Sequence, residues 1–274
     1  VGLGILDQDE ASNPFRDWTK IAILYCTGDA YIGTSPPFRG LDNVQAALQW
    51  MFREVPEPEE LVIAGFSAGG MGAMYWSRHI LRHYSGGSSD LRATVFLDGW
   101  AGLNGQPNFQ EAVSAPWRGC SEKLDLNMLE LDSCTSGNLA VSEVVRTTMS
   151  EFRWVPFVFV NYFIDTVQKG LYCGRECTTV EHFEDIQRLF LDAYVTNGWG
   201  NALFYWLPGS GHGALHLKKM FDPSYTHLAS LSQWIHNLIQ RNSTSLISSV
   251  CPPLEAFTCD PGISTSFTER SPSN

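Results

Sequence analysis

Residues 61–72 have the sequence LVIAGFSAGGMG, and this stretch decides how the chain is interpreted. Apolar residues at 61–64 predict a buried strand, and residues 71–84 have the pattern of a helix. Between them, residues 65–69 match the pattern G-x-S-x-G around Ser67. A strand, a sharp turn and a helix form the context in which this pattern marks a nucleophile, because the turn exposes the serine hydroxyl. We therefore predict that Ser67 is a nucleophile, and the alternative is a glycine-rich turn with an incidental serine.

The two glycines of this motif have a predicted steric role. Ser67 is expected to lie in a strained turn. Side chains at Gly65 or Gly69 are expected to clash with the neighbouring strand and helix. Replacement of either glycine is therefore predicted to disturb the turn that presents the serine.

The length, composition and charge of the chain restrict its class. Its 274 residues, of which 44% are hydrophobic, predict one large soluble domain with a substantial core. This domain is expected to span residues 1–241, and the Ser/Thr/Pro-rich residues 242–274 are expected to form a surface tail. No apolar run approaches the ~20 residues of a membrane helix. The net charge of −11 argues against nucleic acid and anionic membranes as partners.

The cysteines indicate an oxidising compartment. Six of the seven fall into sequence-local pairs that predict disulfides, which are Cys120 with Cys134, Cys173 with Cys177, and Cys251 with Cys259. Cys26 is then either a buried thiol or bonded to a partner outside the chain. A zinc site at Cys173, Cys177 and His182 is a weaker alternative, and no metal or cofactor is predicted. With a glycosylation sequon at residues 242–244, and a start at Val1 that indicates a removed signal peptide or a fragment edge, we predict a secreted glycoprotein.

Strands and helices alternate along the chain. The apolar runs predict strands at residues 20–25, 61–64, 93–97, 156–162 and 202–207. Helical spacing occurs at residues 42–55, 71–84, 181–194 and 224–240, with shorter patterns at 122–131 and 138–153. Because the strands are uniformly apolar, they predict a mainly parallel sheet covered by helices on both faces.

Polar residues follow the ends of four predicted strands. Ser67, Asp98, Asp165 and His212 occupy these positions, where active sites form in parallel sheets. The order Ser…Asp…His is that of α/β-hydrolases. We predict that Ser67 is the nucleophile, His212 the base and Asp165 the acid that orients it. Asp98 is the alternative acid and His216 the alternative base.

Other residues are expected to contribute to the site. The backbone N–H of Ala68 is predicted to donate to the oxyanion. The loop around Trp100 and Phe109 is expected to line a sugar cleft or an acyl pocket. Asp29 is either a turn residue or part of the substrate pocket.

Several stretches together resemble one family of enzymes. They are YCTGDAYIG at residues 25–33, FRGLDNV at 38–44, GFSAGG at 65–70, LDGW at 97–100 and NYFIDTVQ at 161–168. In this order they resemble the pectin acetylesterase / Notum family of carboxylesterases. The resemblance extends over roughly residues 15 to 215.

This resemblance implies an α/β-hydrolase fold and a serine carboxylesterase that needs no cofactor. By position, the nucleophile of the family falls on Ser67, its acid on Asp165 and its base on His212, which is followed here by Gly213. The substrate classes of the family are acetyl esters on polysaccharides and a fatty acyl group on a protein. An inactive hydrolase-fold protein that binds a ligand or partner is the alternative from another functional class.

The resemblance also implies that part of the sheet lies outside this chain. Residues 20–25 would be the fourth strand of the hydrolase sheet. The third strand and a Gly-Gly-Trp segment, which supplies further oxyanion donors, have no counterpart among the residues before Ser67. We therefore expect an N-terminal fragment of the same protein as a partner, and the remaining Cys26 is consistent with this.

Overall fold

The sheet at the centre of the fold consists of parallel strands. The computed structural model describes residues 4–87, 90–102, 115–139, 141–172, 201–222 and 230–240. Its four strands pair in the order β1 to β4, and all neighbours are parallel. They are β1 Glu60–Phe66, β2 Arg92–Asp98, β3 Phe157–Ile164 and β4 Ala202–Ser210. The predicted parallel sheet is confirmed.

Helices connect and cover these strands. They are α1 Gly40–Glu54, α2 Ala68–Ser85, α3 Met128–Thr135, α4 Val141–Glu151, α5 Thr166–Tyr172 and α6 Leu231–Ile239. Short 3-10 turns occur at Gly4–Leu6, Glu122–Leu124 and Lys218–Phe221. The helix predicted at 122–131 is interrupted, because Asp125 has a left-handed backbone and Asn127 caps a new helix, α3. The helix predicted at 181–194 lies outside the described residues.

Successive strand residues point to opposite faces of the sheet, and each face has its own core. Val95 and Leu97 of β2 belong to one cluster, which includes buried residues of α1, α2 and α4. Phe96, between them, belongs to a second cluster with buried residues of α6. Helices therefore cover both faces, as the apolar strands predict.

The strand predicted at residues 20–25 is not formed. An apolar run becomes a strand only where a neighbour supplies the ladder of hydrogen bonds, and no described strand pairs with this segment. Leu24 and Tyr25 are instead 76% and 44% exposed. In the described part of the chain, β1 forms the edge of the sheet, and its apolar Ala64 is exposed although β2 is buried from Ala93 to Asp98.

A buried ion pair joins the helices on one face. The guanidinium of Arg78 in α2 donates to both carboxylate oxygens of Glu130 in α3, at 2.6 and 3.0 Å. The hydroxyl of Thr147 in α4 also contacts Glu130. Because both charges are buried and hydrogen-bonded, this network fixes how the three helices pack.

One predicted disulfide is present, and it links Cys120 to Cys134. Cys26 is an exposed free thiol, so the alternative of a buried thiol is wrong. The other predicted cysteine pairs lie outside the described residues. Within the described residues, no helix has the length and apolar character that crossing a bilayer requires.

Candidate active site

The predicted strained turn is present at Ser67, between β1 and α2. Ser67 has φ 54° and ψ −120°, a conformation that non-glycine residues seldom adopt. Its backbone N–H donates to the carbonyl of Asp98 at 2.7 Å. A Cβ added to Gly65 would lie 1.9 Å from the carbonyl oxygen of Gly69, so the predicted clash at Gly65 is confirmed. The predicted clash at Gly69 is wrong, because an added Cβ would meet nothing closer than the Tyr31 ring at 3.8 Å.

His212 lies between Ser67 and Asp165. Its Nε2 is 2.8 Å from the Ser67 Oγ. Its Nδ1 is 2.8 Å from Oδ2 and 3.0 Å from Oδ1 of Asp165. Because an ionised carboxylate only accepts hydrogen bonds, Nδ1 carries the hydrogen and Nε2 presents its lone pair to the serine hydroxyl. The three residues that the sequence places at separate strand ends are therefore brought into one chain of hydrogen bonds.

The first turn of α5 holds the carboxylate of Asp165. Its Oδ1 accepts from the N–H groups of Val167 at 3.0 Å and Gln168 at 2.9 Å, as in a helix cap. Its Oδ2 accepts from Nε2 of Gln168 at 2.7 Å. Gln168 also donates to Asn161 and accepts from the N–H of Ala101. These donors hold a fully buried carboxylate in one orientation toward His212.

The sequence did not single out Gln168 as a functional residue. The available signal was its position three residues after the predicted acid, where its N–H reaches a capping side chain. The Ala101 N–H that it accepts lies 67 residues away in the sequence, and no neighbouring residue indicates this contact.

The alternatives to the acid and the base lie beside this chain of hydrogen bonds. The carboxylate of Asp98 is fully buried and accepts from the N–H groups of Ala214 and Leu215. His216 stacks on Phe66 with ring centroids 4.0 Å apart. Its Nδ1 is 3.9 Å from Asp98. The structure therefore pairs Ser67 with His212 rather than with His216.

The remaining predicted site residues have different surroundings. Ala68 begins α2 next to Ser67, and the first N–H groups of a helix have no intrahelical acceptor. The Trp100 side chain is only 4% exposed and packs in the core. The buried carboxylate of Asp29 accepts from the Thr27 hydroxyl and the Gly40 N–H, at 2.6 and 2.7 Å, which supports the turn interpretation.

The residues of two further predictions lie outside the described part of the chain. Phe109 and the alternative zinc ligands Cys173, Cys177 and His182 all lie there. Among the residues that the structure describes, no group of three or more His, Cys, Asp or Glu side chains is arranged to hold a metal ion.

Comparison with known sequences finds one family model that matches part of the chain. Residues 1–99, which include the turn at Ser67, match the family model described as Pectinacetylesterase. The resemblance and the enzyme class predicted from the motifs, a carboxylic ester hydrolase, are confirmed by this match. A comparison with curated protein sequences gives no match.

The fold of this chain is similar to that of a solved structure. The structure is that of the Wnt deacylase Notum from Drosophila, with a TM-score of 0.65 at 17% sequence identity. The similar region covers 92% of this chain and 78% of the Notum chain. This likeness confirms the predicted α/β-hydrolase-like fold.

Proposed function

We propose that this chain is a serine carboxylesterase in which Ser67, His212 and Asp165 form the catalytic triad. The observation that supports this function is the position of His212, with one ring nitrogen 2.8 Å from the Ser67 hydroxyl and the other 2.8 Å from the Asp165 carboxylate. A serine hydroxyl becomes a nucleophile when a base takes its proton and a carboxylate orients that base.

The reaction proceeds in two halves. The Ser67 Oγ attacks the carbonyl carbon of the ester while Nε2 of His212 takes the hydroxyl proton. The Ala68 N–H donates to the negatively charged oxygen that develops on the tetrahedral carbon. The carbon–oxygen bond to the alcohol then breaks, and the alcohol leaves with the proton from His212. Water, deprotonated by His212, attacks the acyl-serine, releases the carboxylic acid and restores Ser67.

The proposed substrate is an acetyl ester on a polysaccharide. The family description, Pectinacetylesterase, supports this acyl group and this class of alcohol. The similarity of fold to a Wnt deacylase supports a second candidate, an ester of a longer acyl chain on a protein. Hydrolysis of a series of acyl lengths distinguishes the two candidates.

We propose that the hydrolase domain spans residues 1–241. We also propose that a second segment of the same protein pairs with the outer edge of β1. The position of β1 at the edge of the described sheet supports this, because an edge strand presents unpaired N–H and C=O groups to a further strand. The Gly-Gly-Trp segment implied by the family resemblance would then bring further oxyanion donors to Ser67. Slow hydrogen exchange of the outer β1 amides in a polypeptide that includes such a segment would support this pairing, and fast exchange would contradict it.

We also propose that the protein works outside the cell as a glycoprotein, with residues 242–274 as its tail. The Cys120–Cys134 disulfide supports an oxidising compartment. Glycan at Asn242 is measurable as a mass shift after secretion from a eukaryotic host. The absence of that shift on the secreted protein would contradict the proposed glycosylation.

The proposed function is tested with p-nitrophenyl esters from acetate to palmitate. We expect hydrolysis, fastest with acetate, and we expect Ser67→Ala to remove it. Ser77→Ala is the matched control, because that buried hydroxyl in the same helix donates only to the Met74 carbonyl at 2.7 Å in the structure. If no ester is hydrolysed, the inactive binding protein becomes the better interpretation. If Ser67→Ala is as active as the unaltered protein, the serine mechanism is wrong.

A further inference from the structure

Asp98 contacts both the segment that carries the nucleophile and the segment that carries the base. It is the last residue of β2 and is fully buried. Its backbone carbonyl accepts the N–H of Ser67 at 2.7 Å. Its carboxylate accepts from the N–H of Ala214, 2.9 Å from each oxygen, and from the N–H of Leu215 at 2.8 Å. These two donors follow His212 in the loop of residues 211–217 after β4, the histidine loop.

The sheet in turn fixes Asp98. It is opposite Phe66 of β1 and Val160 of β3 in the strand register. The following N–H, of Gly99, donates to the Val160 carbonyl at 2.8 Å. The two groups of Asp98 that hold Ser67 and the histidine loop therefore belong to one residue in a rigid part of the sheet.

On another side, the histidine loop lies directly against Phe66. Gly213 has φ +72°, and a Cβ added there would lie 2.0 Å from the Phe66 ring. A Cβ added to Gly99 would lie 3.3 Å from Nδ1 of His212. The loop thus has aromatic and backbone contacts close to its histidine, and the Asp98 carboxylate accepts the N–H groups that follow.

We propose that Asp98 is a positioning residue that sets the distance between the Ser67 Oγ and Nε2 of His212. This inference rests on the proposed esterase function. A carboxylate suits the role because it accepts on both oxygens, whereas an asparagine presents an amide N–H to one of the loop donors. The charge is stabilised by the N–H donors, since hydrogen bonds to an ionised acceptor are stronger than neutral ones.

The test is the variant Asp98→Asn with p-nitrophenyl acetate. Small displacements of a catalytic group have large effects on rate, so we expect kcat to fall by roughly 10- to 100-fold. We expect KM to stay within about twofold, because the buried carboxylate does not contact the substrate and the change acts on the transition state. A second readout is the rate at which a phosphonate ester labels Ser67, and it should fall in parallel with kcat.

Glu130→Gln is the matched control. It makes the same change at another buried carboxylate, whose contacts are with Arg78, Thr147 and the backbone of Asn127. It should lower stability but leave the kcat of the folded protein unchanged. A kcat for Asp98→Asn within threefold of the unaltered value, per folded molecule, would overturn the proposal, as would a change confined to KM.

A measurement on the unaltered protein covers the case in which Asp98→Asn does not fold. Hydrogen exchange at Ala214 and Leu215 should be as slow as in the core of β2, because their N–H groups bond to a buried carboxylate. Exchange as fast as in an exposed loop would show that the anchor is absent and would overturn the inference. If Ser67→Ala retains activity, the proposed function fails, and this exchange experiment alone decides whether Asp98 anchors the loop.

Discussion

Replacement of Asp165 by asparagine removes one charge and exchanges one acceptor for a donor. If the amide oxygen keeps the bonds to Val167 and Gln168, the amide nitrogen takes the position of Oδ2, which is 2.8 Å from Nδ1 of His212. Two donors then face each other. The ring avoids this by moving its hydrogen to Nε2, where it points at Ser67 and no lone pair remains to take the serine proton.

The expected effect is therefore large and confined to the chemical step. Loss of the correct tautomer in a Ser-His-Asp triad lowers kcat by about 10⁴. This corresponds to about 5.5 kcal/mol of lost transition-state stabilisation. KM should change little, because Asp165 is fully buried and acts through His212.

The assay is steady-state hydrolysis of p-nitrophenyl acetate by Asp165→Asn, with the folded fraction measured by circular dichroism. Asp125→Asn is the matched control, because Asp125 also pairs with a histidine, with its Oδ2 3.2 Å from Nδ1 of His79. That variant should keep the full rate. A loss of less than tenfold in Asp165→Asn would refute the argument, because the tautomer would then not depend on this carboxylate.

Other changes separate packing from chemistry. Gly65→Ala should abolish folding or activity because its Cβ would lie 1.9 Å from the Gly69 carbonyl oxygen, whereas Gly69→Ala, with its nearest contact at 3.8 Å, should keep most of the rate and melting temperature. Gln168→Leu should lower kcat by roughly tenfold at constant KM, because Asp165 loses a donor at 2.7 Å but keeps His212; an unchanged kcat would argue against this role. Burial alone would raise the pKa of Glu130. Hydrogen bonds from Arg78 and neighbouring groups outweigh burial, so the pKa lies below its usual value. Its stabilisation is thus present above a pH of about 4.3 and lost as pH falls through the lowered pKa, so urea titrations should show a shallower loss of stability below about pH 5 in Glu130→Gln.

The elements of the fold were predictable where a local pattern determines them. The strand at 61–64, the G-x-S-x-G motif and the helix after it carry their own signals, and the structure has all three. Asp165 and His212 follow predicted strands, and parallel topology places such strand ends at one edge of the sheet. Their proximity in space therefore followed from topology, although 47 residues separate them in sequence.

Features that depend on distant contacts were not predictable in the same way. The bond from Ala214 to Asp98 spans 116 residues, and no residue near either one indicates it. Residues 20–25 have the composition of a strand, but a strand also requires a neighbour, which no composition encodes. The clash expected at Gly69 was wrong because α2 turns that position toward Tyr31, where there is room for a methyl group.

The geometry of Ser67 depends on the end of β2 as well as on β1, which leads directly into the turn. A non-glycine residue at φ 54° is strained by roughly 1–3 kcal/mol, so it persists only where its surroundings hold it. The Ser67 N–H donates to the Asp98 carbonyl of β2, and the Asp98 carboxylate anchors the histidine loop. The Ser67 carbonyl accepts from the N–H groups of Gly70 and Met71 in α2. The opposite edge of β1 has no neighbour among the described strands. The carbonyl and the carboxylate of Asp98 therefore make the end of β2 part of the support of the nucleophile, even though β2 carries none of the proposed triad.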